Sequence, residues 1–295
     1  MRMRTLSLYE EKISNGNVSL SELFEERPFQ PCASDMGFLK AVHLICKGGW
    51  PASFWIPEGS ASTIAPEYLS MVINEDINRV DGIRIDSVLV WLIMRSLARN
   101  SATQVKATSM KADVEREGVE ISEQTVRGYY EALTKIYIIE EQEAWAPSLR
   151  SRSRIRSTPK RHFTDPSLAA AALGATPGIL AGDVKTAGFL FETLCFRDLS
   201  IYADALDGKV YHYRDKDGLE ADAILQLPDG RWGAAEIKLG TYEFDLAASN
   251  LLKLKKKLAG EIAPPSFLAI VTASGGMAWQ REDGVSVIPI DCLAP

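Results

Sequence analysis

The sequence predicts an α+β protein in which a helical, winged-helix-like middle is followed by a mixed sheet flanked by helices. Three observations predict it. Apolar residues recur at helical spacing between 80 and 136. Three short β-rich runs between 209 and 239 are separated by Asp215-Lys216-Asp217-Gly218 and Pro228-Asp229-Gly230, which are turn sequences. Long helical patterns, 188–205 and 244–258, stand on either side of those runs. The expected organisation is a helical N-terminal segment (1–80), a winged helix-turn-helix-like domain with a basic loop (81–175), and a mixed-sheet domain (176–295).

Taken in order, residues 1–35 are polar and turn-rich, with one short helix from Ser19 to Glu26 capped by Ser19. A helix over 37–47 ends at Gly48-Gly49-Trp50-Pro51, because Pro cannot continue a helix. A helical run covers 64–78. Then come Ile85–Arg99, Ser109–Glu117 and a third helix capped by Ser122 and running to Ile136, with a β-like stretch at 137–141. That order fits a winged helix-turn-helix, with Thr125, Arg127 and Gly128 near the start of its recognition helix. A strand at 161–163 leads through Asp165-Pro166 into a helix over 167–173, and 174–182 reads as a loop. The remainder reads α-β-β-β-α-β: helix 188–205, strands 209–214, 219–227 and 231–239, helix 244–258 and strand 267–272, with a last strand at 285–290.

The whole chain sets the bounds. At 295 residues, 46% hydrophobic and 24% charged, it has room for two domains with cores of their own. No apolar run reaches the roughly 20 residues of a membrane helix, and the N-terminus lacks the apolar stretch of a signal peptide. Cys32, Cys46, Cys195 and Cys292 show no paired spacing, so reduced thiols and a cytoplasmic setting are expected. The net charge of -6 is unevenly spread. Arg150, Arg152, Arg154, Arg156, Lys160 and Arg161 form a basic run without an acid, which with Arg127 is a candidate phosphate-binding footprint on DNA. The plain alternative is a solvated loop.

Phosphodiester chemistry has one candidate location. In Glu236-Ile237-Lys238 the strand alternation puts Glu236 and Lys238 on one side of the sheet. Asp222 lies on the neighbouring hairpin strand and can come alongside. Two carboxylates suit Mg²⁺, a cation that takes oxygen ligands. Lys238 would orient water or offset charge, and Glu192 on the preceding helix is a further candidate. Asp222 and Glu236 are thus the expected metal ligands, and Glu192, Asp222, Glu236 and Lys238 the expected catalytic set. No phosphate-cradling Gly-x4-Gly-Lys-Ser/Thr loop is present, so no ATP site is expected. His43, His162 and His212 lack metal spacing and read as structural.

Several motifs together resemble a known family. They are Gly48-Gly49-Trp50-Pro51, Ala98-Arg99-Asn100-Ser101, Thr125–Tyr130, Phe163-Thr164-Asp165-Pro166, Phe191-Glu192, Val210–Asp222 and Trp232–Gly240. Combined, they resemble the C-terminal part of prokaryotic AAA-type ATPases that carries the domain of unknown function 4143. The resemblance implies a winged-helix middle and a restriction-endonuclease-like fold of the PD-(D/E)xK type, with Glu192, Asp222, Glu236 and Lys238 at the metal-binding and water-positioning places. Members also carry a P-loop ATPase domain ahead of these parts. Residues 2–10 resemble its trailing edge, so a truncated or split member is expected, with a separately encoded ATPase as a partner. The competing reading is a catalytically inactive interaction module in which Asp222, Glu236 and Lys238 are only an ion-pair cluster.

Overall fold

The computed structural model describes residues 3–76, 86–147 and 158–295. In chain order the regular elements are β1 (Val18–Ser19), α1 (Leu20–Phe24), β2 (Cys32–Ala33), α2 (Phe38–Lys47) and α3 (Ile64–Met71). Next come α4 (Ser87–Arg99), α5 (Ala107–Arg116), α6 (Glu123–Lys135), β3 (Ile139–Gln142), β4 (Lys160–Phe163) and α7 (Pro166–Ala172). The chain continues with α8 (Pro177–Gly182), α9 (Val184–Asp204), β5 (Lys209–Arg214), β6 (Glu220–Gln226) and β7 (Trp232–Lys238). It closes with α10 (Phe244–Leu258), β8 (Phe267–Thr272), β9 (Met277–Gln280), β10 (Ser286–Pro289) and β11 (Leu293–Ala294). The fold is mixed α+β. No helix among the described residues is long and apolar enough to cross a membrane.

These elements form two compact units that are interleaved along the chain. Through their described residues, one is drawn from Met1–Thr5, Val42–Glu141 and Thr158–Thr193, the other from Leu6–Ala41, Gln142–Ser157 and Leu194–Pro295.

In the first unit α4 turns Val90, Ile93, Met94 and Leu97 inward. Asp86 caps it, accepting from the Val88 N–H at 2.8 Å, as a short acid at this position should. Helix α4 packs on α5 and α7, and α5 on α6. Ser122 caps α6 by accepting the Thr125 N–H at 3.0 Å. Strands β3 and β4 pair as a two-stranded sheet, giving the helix, helix, helix, strand order expected of the middle of the chain.

Two motifs far apart in sequence meet in this unit. Asp165 caps α7, its Oδ1 accepting from the Ser167 N–H at 2.9 Å and hydroxyl at 2.6 Å. Its Oδ2 accepts from the Gly49 N–H at 3.0 Å and the Thr5 hydroxyl at 2.7 Å. Trp50 Nε1 donates to Ser167 Oγ at 2.9 Å. Gly48 has φ +69°, and a Cβ there would fall 2.4 Å from Ser167 Oγ and 2.5 Å from Asp165 Oδ1. The Gly48-Gly49-Trp50 turn is therefore the lid on a buried helix cap, which accounts for both motifs structurally.

The second unit is built on a seven-stranded sheet in the order β2-β9-β10-β8-β7-β6-β5. Strands β7, β8 and β10 run parallel, and the other neighbours are antiparallel. The predicted meander is β5-β6-β7, and α10 is the crossover that joins β7 to β8. It packs Ala247, Leu251 and Leu254 into a core shared with Ile224, Ala234, Leu268 and Ile270. Gly233 lies under the Phe267 ring, where a Cβ would come within 2.3 Å of ring carbons. Close strand packing at that point requires a residue without a side chain.

Three features differ from the sequence expectation. Residues 174–182 hold helix α8, capped by Thr176; Pro177 sits at its first turn, where a fixed φ favours helix entry rather than blocking it. Strand β9 extends the sheet beyond β10. The two-residue strands β1 and β2 draw the N-terminal segment into the second unit, by pairing with β11 and β9 respectively.

Candidate functional site

Strand β7 carries the candidate chemistry. Side chains alternate along a strand, and Glu236 and Lys238 fall together, with Lys238 Nζ 2.7 Å from Glu236 Oε2. In the β6–β7 register Ala223 faces Ala235, which brings Asp222 beside Glu236 at the next position. Asp222 Oδ2 lies 3.3 Å from Lys238 Nζ and accepts from the Ile237 N–H at 2.9 Å. Gln142 Nε2 donates to the Asp222 carbonyl at 2.8 Å, pinning the backbone behind the carboxylate. The structure thus assembles Asp222, Glu236 and Lys238 in one place.

The electrostatics follow from the burial. Glu236 is 4% exposed, on the face of the sheet that also carries Ala234 and Ile270. Burial first, and then the neighbouring Asp222 carboxylate, push the Glu236 carboxyl up to about 8, against the opposing pull of Lys238. For Lys238, burial works against the ammonium. Asp222 and Glu236 outweigh it and hold the amine above its ordinary range.

The donor set favours a hard cation. Two carboxylates stand side by side, and burial, then the neighbouring Asp222, keeps Glu236 protonated near neutral pH. Among the described residues no group of three or more His, Cys, Asp or Glu gathers as a complete metal cage. Mg²⁺ needs none, because it is commonly held by one or two carboxylates and keeps several waters. Asp222 and Glu236 therefore fit Mg²⁺ chemically.

The other expected residues among those described belong to the first unit. Glu192 sits on the part of α9 that belongs to the first unit, and its carboxylate pairs with Lys160. A candidate catalytic acid and a candidate phosphate-binding cation are thus partners of each other. Arg127 lies on α6, its Nε donating to Glu123 Oε1 at 3.1 Å. The Arg161 guanidinium stacks over the Tyr130 ring, 4.4 Å from its centroid. Tyr130 donates its hydroxyl to Glu141, and burial, then Glu141, push that phenol up to about 12. Arg127, Tyr130, Lys135, Glu141 and Arg161 line a cleft of about 490 Å³. Arg150, Arg152, Arg154 and Arg156 lie outside the described residues. Sequence reasoning missed Gln142, since its link to Asp222 spans 80 positions.

Residues 187–293 match the family described as Domain of unknown function (DUF4143). That span holds Glu192, Asp222, Glu236 and Lys238, and it is the family that the C-terminal motifs resemble. Residues 40–178 match a second family, Domain of unknown function (DUF8612). No curated protein and no solved structure matches the chain.

Proposed function

We propose that the second unit is a Mg²⁺-dependent nuclease-like unit of the restriction-endonuclease type, acting on nucleic acid that the first unit helps to hold. One observation carries the reading: a carboxylate pair, the buried Glu236 and the partly buried Asp222, shares the Lys238 ammonium on adjacent strands. Asp222 and Glu236 would hold the cation. When bound, Mg²⁺ supplies polarisation of a phosphodiester and a bound water of lowered pKa. Lys238 keeps an ammonium beside the carboxylates, where it can orient water or offset charge developing on phosphate. Arg127 and Arg161, together with the arginine-rich run ahead of Lys160, supply cations for the nucleic-acid backbone.

The test is a Mg²⁺-dependent cleavage assay on single-stranded DNA, double-stranded DNA and RNA, comparing the protein with Lys238→Ala. The expected outcome is cleavage that needs Mg²⁺ and falls at least ~100-fold in the variant, the scale of losing one preorganised charge at a reacting centre. Absence of cleavage from the unaltered protein, with no effect of millimolar Mg²⁺ on its melting temperature, overturns the proposal.

A second reading has one observation in its favour: Lys238 reaches both carboxylates, so the cluster largely compensates its own charge. On that reading the protein is an inactive module that docks on a separately encoded P-loop ATPase. Glu236→Gln would then alter stability and leave nucleic-acid binding and cleavage untouched.

A further inference from the structure

Four cysteines without paired spacing hide one spatial pair. Cys32 on β2 and Cys292, in the turn between β10 and β11, are separated by most of the chain. The peptides around them are nevertheless stitched together. The Cys292 Sγ approaches the carbonyl of Ala33, the neighbour of Cys32, at 3.7 Å. Asn15 Nδ2 donates to that carbonyl at 3.1 Å and reaches the Cys292 Sγ at 3.7 Å. One residue further along on one side and one back on the other, the Ser34 hydroxyl donates to Asp291 Oδ1 at 2.6 Å. Burial first, and then the neighbouring Cys32, push the Cys292 thiol up to about 12. Cys32 is partly accessible, whereas Cys46, Cys195 and Cys292 are buried.

We propose that Cys32 and Cys292 are a thiol-oxidation site that closes to a reversible intramolecular disulfide when a small-molecule disulfide is the oxidant. The asymmetry in exposure sets the order. The accessible Cys32 attacks one sulfur of the oxidant, forming a mixed disulfide and releasing one small thiolate. The buried Cys292 then attacks the Cys32 sulfur and expels the second small thiolate. The two protons lost by the cysteines go to the two released thiolates, so the oxidant is reduced to two thiols as the protein gains one S–S bond. The bond would fasten β2, the edge strand of the seven-stranded sheet, to the turn that leads into β11. Oxidation would thus lock the N-terminal segment onto the C-terminal sheet, a long closure that restricts mainly the unfolded chain.

The experiment treats the full chain with glutathione disulfide and reads the products by alkylation and mass spectrometry. The expected result is a fall from four alkylatable thiols to two, a mass lower by two hydrogens, and a cross-linked Cys32–Cys292 peptide that dithiothreitol releases. The melting temperature should rise by several degrees on oxidation and return on reduction. Cys292→Ser should stop at a glutathione adduct on Cys32. A stable glutathione adduct on the unaltered chain, or four free thiols throughout, overturns the proposal. The wild-type measurement decides the matter even if a cysteine variant fails to fold.

Discussion

At the scale of single residues, Glu236 makes a prediction whose sign can be worked out. Its carboxyl rises in the folded state from an ordinary 4.5 to about 8, through burial and then Asp222. Below pH 4.5 the group is protonated in both states and contributes nothing. Between 4.5 and 8 the unfolded chain ionises while the native state keeps its proton, so stability falls as pH rises. Above 8 the penalty is constant, with an upper bound of about 4 to 5 kcal/mol at 1.36 kcal/mol per unit. Glu236→Gln should remove this fall: it should match the unaltered protein near pH 4.5 and exceed it by roughly 1 to 3 kcal/mol at pH 8, in metal-free denaturant titrations. Parallel pH profiles for the two proteins would show that Glu236 is not a buried acid held protonated. The same proton links to the cation, because a ligand carboxylate must first give it up. Mg²⁺ affinity, read as a shift in melting temperature, should therefore increase from pH 6 to pH 8 and vanish in Asp222→Asn. Gly48 makes a structural prediction of another kind. Its φ of +69° and the 2.4 Å approach of a Cβ to Ser167 Oγ should make Gly48→Ala cost about 2 to 4 kcal/mol, measurable in the same titrations without any change in cleavage chemistry.

At the scale of elements, β7 is where packing and chemistry meet. Glu236 and Lys238 stand three and five positions beyond Gly233, on a strand whose spacing to β8 depends on the Phe267 ring lying over that glycine. Gly233→Ala should overpack this point at a cost of about 1 to 3 kcal/mol. Phe267→Leu in the same chain should recover much of it. A double variant whose loss equals the sum of the single losses would deny the coupling. The same elements show how much of the fold is legible in the sequence. Strand β5, helix α10 and strand β8 begin and end where periodicity puts them, because the period switches sharply at turns such as Asp215–Gly218. The strands β1, β2 and β11 are two residues long, too short for any period, and their partners lie at the other end of the chain. The site divides in the same way. Strand alternation within Glu236-Ile237-Lys238 gives the shared side of two residues, and the hairpin gives Asp222. The Gln142 contact, the Lys160 partner of Glu192 and the Cys32–Cys292 pair rest on long-range packing that one sequence does not encode locally.

At the scale of the whole molecule, the question is how an acidic protein would hold a polyanion. The net charge is -6, so the long-range field opposes nucleic acid and any binding must come from a local concentration of cations. Two members of the basic run are already engaged: Lys160 pairs with Glu192, and Arg161 stacks on Tyr130. The rest of the run's charge is carried by Arg150, Arg152, Arg154 and Arg156. Each phosphate neutralised by a side chain contributes about 0.9 to the slope of log affinity against log salt on duplex DNA, through released counterions. Replacing Arg152, Arg154 and Arg156 together with Gln should therefore flatten that slope by roughly 2 to 3 and weaken binding without regard to sequence. Lys160→Gln should leave the slope nearly unchanged and lower stability instead, because it breaks a partly buried ion pair with Glu192. The measurement is fluorescence anisotropy of a labelled duplex between 50 and 300 mM salt. An unchanged slope in the triple variant, or a Lys160 variant that flattens it as steeply, would place the phosphate contacts elsewhere and leave the arginine run as solvated surface.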